Sequence, residues 1–219
     1  MDTLGFPESS YSAFQDYAEM REKHEYLFED RMKKLGLSKK ESLAMDVAVF
    51  SGGAEGTMLF ASFAMLLSFT NRGLMKGMGT IVEWSVKDED NHCLYMSKLF
   101  KVFIEENPKI WTDEFKKHIY QTFREIVDLE DKFIDLAFEQ GPIEGLTPES
   151  VKEYVRYIAD RRLNQLGLKS NYGIGKNPFP WLDDMLALPV HTNFFEGRAT
   201  EYSKQGLEGW DEVWNDKET

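Results

Sequence analysis

Glu89 and His92 stand three residues apart, so on a helix they project from one face and can offer a carboxylate and an imidazole to a single metal ion. Carboxylate-rich four-helix bundles bind two metal ions in this way. They take one Glu-x-x-His from each of two helices and a lone carboxylate from each of two others. Spacing alone is a weak signal, because Glu-x-x-His also occurs on solvated helix faces. Glu55 strengthens it. This residue stands just before Met58-Leu59-Phe60-Ala61-Ser62-Phe63, at the start of the most apolar stretch of the chain, which predicts that it faces the core. A buried carboxylate without a partner costs on the order of several kcal/mol or keeps its proton, and a divalent cation would relieve that cost. Water or a basic side chain reached from the same turn would relieve it too, and the residues alone leave both readings open. The other histidines do not extend the set: Arg21 lies three residues before His24, Phe115 before His118 and Leu188 before His191. The chain therefore holds one lone carboxylate and one motif, half of a two-metal site.

Helices must position these groups. Asn-Gly and Asp-Gly hairpin turns and long alternation of apolar and polar residues are missing, so the sequence predicts an all-α fold. A charged amphipathic stretch from about Ser10 to Leu35 ends at Gly36. Ser38, with Glu41 three residues on, forms a capping box for a second helix reaching Asn71. Gly52-Gly53 lies inside that helix and predicts a distortion or a close helix contact just before Glu55. A third helix, Leu74 to Glu106, carries Glu89 and His92 and stops at Asn107-Pro108. A fourth runs from Thr112 to Gln140, and a fifth from Thr147-Pro148 to Leu166. A short helix over Trp181–Leu188 precedes a tail without helical periodicity that keeps Phe194, Phe195, Tyr202, Trp210 and Trp214. Retained aromatics in such a tail suit docking onto a partner, or folding back onto the domain. The domain division is 1–188 for the helical part and 189–219 for the tail.

The formal charge of −12 over 219 residues argues against nucleic-acid binding, which relies on Lys and Arg neutralising phosphates. One cysteine, Cys93, permits no intramolecular disulfide and fits a reducing compartment, so the expectation is a cytoplasmic protein. The apolar run Met58–Phe69 is about half the length that a membrane span needs, which favours a helix buried on all sides.

Taken together, these residues resemble the small, radical-generating subunit of class I ribonucleotide reductases, in its C-terminal part. The resemblance is carried by Glu55 before a Phe/Ala/Ser-rich helix and by Lys87-Asp88-Glu89-x-x-His92. Arg161-Arg162-Leu163, Gly167-Leu168, Asn177-Pro178-Phe179-Pro180-Trp181, Asn193-Phe194-Phe195-Glu196 and Thr200-Glu201-Tyr202 add to it. It implies a ferritin-like helical bundle lacking its N-terminal helices, and a dinuclear iron or manganese centre for which Glu55, Glu89 and His92 supply half of the ligands. It implies that Asp88 orients a ligand histidine and lies on the radical route, that Phe63 and Leu59 line an apolar wall, and that Tyr202 relays the oxidising equivalent to a large subunit docked on the tail. The family's lone aspartate, first Glu-x-x-His and radical tyrosine have no counterpart here, and Tyr11, Tyr17 and Tyr26 do not match that tyrosine's surroundings. The missing ligands would then come from the N-terminal half of the small subunit as a separate chain, in a dimeric assembly, or this chain is a fragment. Three other readings stand beside this one: a different ferritin-like di-metal oxidase, a homodimer combining two half-sites, and a metal-free interaction protein.

Overall fold

The computed structural model describes residues 16–187, and among them all regular structure is helical. The first predicted helix forms as two pieces, α1 (Ala18–Leu27) and α2 (Arg31–Leu35). Asp30 separates them because its carboxylate caps the second piece by accepting from the Lys33 amide. Gly36 closes α2 in the left-handed region at φ 66°. The Ser38/Glu41 capping box then opens α3 (Lys39–Ala48), with the Glu41 carboxylate accepting from the Ser38 amide at 2.9 Å. α3 continues through a π-helical segment (Val49–Met58) into α4 (Phe60–Asn71), giving one rod of 33 residues.

That rod is long and apolar enough, by length and composition, to cross a membrane, which the sequence reading placed beyond the reach of its apolar run. Most of its apolar stretch is buried against the other helices, the position of a core helix. α5 (Lys76–Glu106) packs antiparallel to it on one side, while α6 (Asp113–Glu139) and α7 (Pro148–Gln165) close the other. Thr112 and Thr147 cap α6 and α7 as the sequence predicts, and α8 (Pro180–Ala187) packs against α4.

The core lies where rod, α6 and α7 meet. Ile119, Phe123, Ile126, Val127 and Ile134 recur on one face of α6 at helical spacing, opposite Val151, Val155, Ile158 and Leu163 of α7. From the rod, Ala44, Ala48, Val49, Ala61 and Ala64 are fully buried, so small side chains there let the helices approach closely. Charge holds α1 down instead. It buries no residue of its own, yet Lys23 pairs with fully buried Glu130 of α6 and donates to the Met58 carbonyl at 3.1 Å.

Candidate metal centre

The site rests on the π-helical segment. Its i→i+5 bonding widens the turn, and three carbonyls in it accept bonds from side chains as well. Thr57 Oγ1 donates to the Gly52 carbonyl at 2.7 Å, Cys93 Sγ to the Ser51 carbonyl at 3.0 Å, and Arg162 Nε to the Gly56 carbonyl at 2.9 Å. Three glycines make room for this. A Cβ on Gly52 would stand 2.8 Å from Phe123 Cζ, one on Gly53 2.5 Å from Ile126 Cδ1, and one on Gly56 2.6 Å from the Ser51 carbonyl. The distortion predicted at Gly52-Gly53 is thus a ten-residue π-helix, and both predicted causes, distortion and close contact, operate together.

Arg162 ties this segment to α5. Fully buried, it donates to the Gly56 carbonyl and, through its other nitrogens, to Asp90 Oδ1 at 2.7 Å and Gln165 Oε1 at 3.1 Å. Arg161 takes the second Asp90 oxygen at 2.8 Å, and the Arg162 guanidinium lies 4.9 Å from the centre of the Phe60 ring. Asp90 follows Glu89 directly, so these bonds fix the helical turn that presents Glu89 and His92. Sequence reasoning used Arg161-Arg162 only as part of a resemblance. Arg162 reaches across 106 residues to Gly56, and the available signal was an arginine at a position of the α7 repeat that is otherwise mostly apolar.

Glu55, Glu89 and His92 do converge. One donor atom from each lies within 4.8 Å of the other two. His92 Nδ1 stands 3.1 Å from Glu89 Oε2 and 3.8 Å from Glu55 Oε2. First-row divalent ions hold nitrogen and oxygen donors at about 2.0–2.2 Å. Two donors on one such ion are therefore about 3 to 4.3 Å apart, and the His92 distances fit. Partial burial and the neighbouring Glu89 carboxylate push the Glu55 pKa up, while His92 opposes the shift. That repulsion between two acids is what a cation would remove.

In one respect the site differs from expectation. Glu55 does not face the core: its side chain is 44% exposed, Glu89 21% and His92 57%. The three groups sit at the edge of the helices, with solvent on one side. Beside His92, Cys93 is buried, burial pushes its thiol up to about 11, and its Sγ donates to the Ser51 carbonyl.

The family model described as "Ribonucleotide reductase, small chain" matches residues 1–178. The chain belongs to the ribonucleotide reductase small-chain family. It is 42% identical to the probable ribonucleoside-diphosphate reductase small subunit of Invertebrate iridescent virus 3, over 95% of this chain and 59% of that protein. Identity to the corresponding protein of Invertebrate iridescent virus 6 is also 42%, covering 98% and 69% respectively. The chain thus spans about three fifths to two thirds of the length of these relatives. Among solved structures, the ribonucleotide reductase R2 subunit from Clostridium botulinum superposes with a TM-score of 0.73 at 23% identity, covering 81% of this chain and 56% of that one. The fold is accordingly the ferritin-like one of the small-chain family.

The remaining residues singled out from the sequence lie on the described helices or outside the described region. Asp88 is exposed on α5, one turn before His92, whose carboxylate neighbours are Glu89 and Glu55. Phe63 is half-buried with its ring 5.6 Å from that of Phe60, and Leu59 is exposed at the end of the π-helical segment. Tyr202 and the tail aromatics lie outside the described residues, as does Tyr11. Tyr26 donates to Glu125 Oε2 at 2.7 Å on the far side of α6.

Proposed function

We propose that this chain is the C-terminal part of a ribonucleoside-diphosphate reductase small subunit and supplies half of a dinuclear iron or manganese centre. One observation carries the reading: in a chain of this family, Glu55, Glu89 and His92 gather with one donor atom of each within 4.8 Å of the others. The other ligands, a lone carboxylate and a second Glu-x-x-His, would come from the N-terminal half of the small subunit as a separate chain. That half would cover the open side of the site. Iron and manganese both accept this donor set. When bound, the metal pair supplies the one-electron oxidising chemistry.

The residues of this chain do the rest. Glu89 and His92 are held in register by the Asp90–Arg162 bonds, and Glu55 by the π-helical segment. Asp88 orients a ligand histidine and lies on the radical route. Phe63 and Leu59 keep water from the stored oxidant once the complementary half is in place. In the tail, 189–219, Tyr202 passes the oxidising equivalent to a large subunit that reduces ribonucleotides to deoxyribonucleotides. The helical part, 1–188, is the metal-holding domain.

The test is co-purification with a chain bearing the missing Asp and Glu-x-x-His, followed by metal analysis and electron paramagnetic resonance. The expected result is metal uptake and a radical or mixed-valent signal in the complex, and reductase activity once a large subunit is added. A complex that forms but takes up no metal overturns the proposal. Tyr202→Phe tests the relay separately: it should abolish reduction while leaving metal content and the resonance signal unchanged.

A further inference from the structure

Two cations reach the backbone just after Glu55, and they come from different sides of the rod. Arg162 donates to the Gly56 carbonyl, and Lys23 donates to the Met58 carbonyl at 3.1 Å. Each is paired with an acid on another helix: Arg162 with Asp90 of α5, and Lys23 with fully buried Glu130 of α6. The Arg162 arm joins the π-helical segment to the helix of Glu89 and His92. The Lys23 arm joins it to α1 and α6, which carry none of the three converging residues.

Lys23 is held more firmly than the other contacts of α1. That helix buries no residue and rests on α6 through polar pairs, Glu22 with Lys132 at 2.7 Å, Tyr26 with Glu125 at 2.7 Å, and Lys23 with Glu130. Of these, Lys23 is the one that goes on to the rod. Its ammonium stands 4.2 Å from the centre of the Phe133 ring, and neither oxygen of Glu130 has another hydrogen-bond partner. A fully buried carboxylate and an aromatic face thus fix where the charge sits. An ammonium has three donors, and the one not needed by Glu130 or the ring is aimed at Met58.

The carbonyl it holds lies at a sensitive place. Met58 is buried, stands three residues after Glu55, and ends the π-helical segment, with α4 beginning at Phe60. The Glu55 side chain is half-exposed, so no packing locks it and its position follows that of its backbone. His92 Nδ1 and Glu55 Oε2 are 3.8 Å apart, already toward the upper end of what one ion spans. A displacement of the Glu55 turn by about 1 Å would take the carboxylate out of reach, and misplacements of that size are costly at metal and catalytic sites.

We infer that Lys23 is a positioning residue for the metal centre: through the Met58 carbonyl it holds the turn that presents Glu55, as Arg162 does through Gly56. This rests on the metal-binding reading above and deepens it, because it gives α1 a part in a centre to which that helix supplies no ligand.

The experiment measures the Mn(II) affinity of the complex with the complementary half, from the paramagnetic resonance of free Mn(II), and amide hydrogen exchange of residues 58–63 in the metal-free chain. Lys23→Met alone would strand the buried Glu130 carboxylate. The comparison is therefore between Glu130→Gln, whose amide oxygen still accepts from Lys23, and Lys23→Met with Glu130→Gln, which frees the Met58 carbonyl without leaving a buried charge. The dissociation constant should be about tenfold higher in the double variant than in the single one, the loss usual for groups that orient metal ligands. Exchange at residues 58–63 should be faster as well. Tyr26→Phe removes the bond to Glu125 and loosens α1 while Lys23 stays in place, so it should leave the affinity unchanged. Equal affinities in the double and single variants overturn the inference, as does an equal loss in Tyr26→Phe, which would mean that α1 acts by docking alone. In both of those cases the parent complex still binds manganese and the metal-binding reading stands. A parent complex that takes up no manganese overturns that reading and the inference with it.

Discussion

The rod from Lys39 to Asn71 has two sides, and they are finished to different degrees. Toward α6 and α7, Gly52 and Gly53 admit Phe123 and Ile126, Arg162 reaches the Gly56 carbonyl, and each of these residues is fully buried. Toward solvent stand Glu55, Leu59 and Leu66, beside His92 and Tyr95 of α5, with acids close together and apolar side chains exposed. The buried side is satisfied by residues of this chain. On the open side, both the polar and the apolar groups still need partners. Stability should therefore depend on the first side and metal chemistry on the second, and substitutions should separate the two.

The largest effect is expected at Arg162. Arg162→Met keeps most of the volume but leaves the Gly56 carbonyl and one Asp90 oxygen without their donor. Removing one partner from a buried ionic network costs about 3 kcal/mol or more. Because Arg161 still holds Asp90, the lower end of that range is expected, read as a shift in the urea midpoint. A loss below about 1 kcal/mol would mean that the π-helical segment is held by packing alone. Gly56→Ala should cost less, about 1–2 kcal/mol, since the added methyl meets a backbone oxygen at 2.6 Å that cannot swing away. Gly53→Ala should cost less again, because its methyl meets only the mobile end of Ile126.

These two sides also differ in how far the sequence reveals them. Local signals were readable: Ser38/Glu41, Thr112 and Thr147 start helices where the structure starts them, and Gly52-Gly53 marked the distorted turn. The metal-binding residues were readable because two of them are three residues apart on one helix and the third precedes an apolar run. Illegible were the groups that hold them. Asp90 and Arg162 are 72 residues apart, and Lys23 and Glu130 lie on α1 and α6, so nothing in the periodicity of one helix names the partner on another. The burial of Glu55 was misjudged for a related reason. An apolar run shows that a helix is buried but not which side of it stays open.

Glu130 gives a pH test of the closed side. Burial pushes its carboxyl up to about 7, against Lys23, which lowers it; nearby Asp131 adds to the rise. A carboxyl that binds its proton more tightly when folded contributes stability below its ordinary value of 4.5, and that contribution is lost as pH rises through about 7. Glu130→Gln should flatten this part of the stability profile, measured by urea denaturation from pH 4 to 8. An unchanged slope would place the titration elsewhere.

The smallest effect is expected where the chemistry is. In the metal-free chain, Glu55→Gln removes one of two neighbouring carboxylates from a half-exposed position, which relieves repulsion and leaves no buried group unpaired. Its effect on the urea midpoint should therefore lie within about 0.5 kcal/mol of zero, as for surface positions generally, and on the stabilising side if it is measurable. The same substitution should abolish manganese uptake by the complex with the complementary half, because an amide oxygen is a poor replacement for a charged ligand. A residue kept for the fold would show the opposite pattern, losing stability first and metal only as a result. If Glu55→Gln destabilises the metal-free chain as much as Gly56→Ala does, the open side is structural after all, and the division between the two sides of the rod no longer holds.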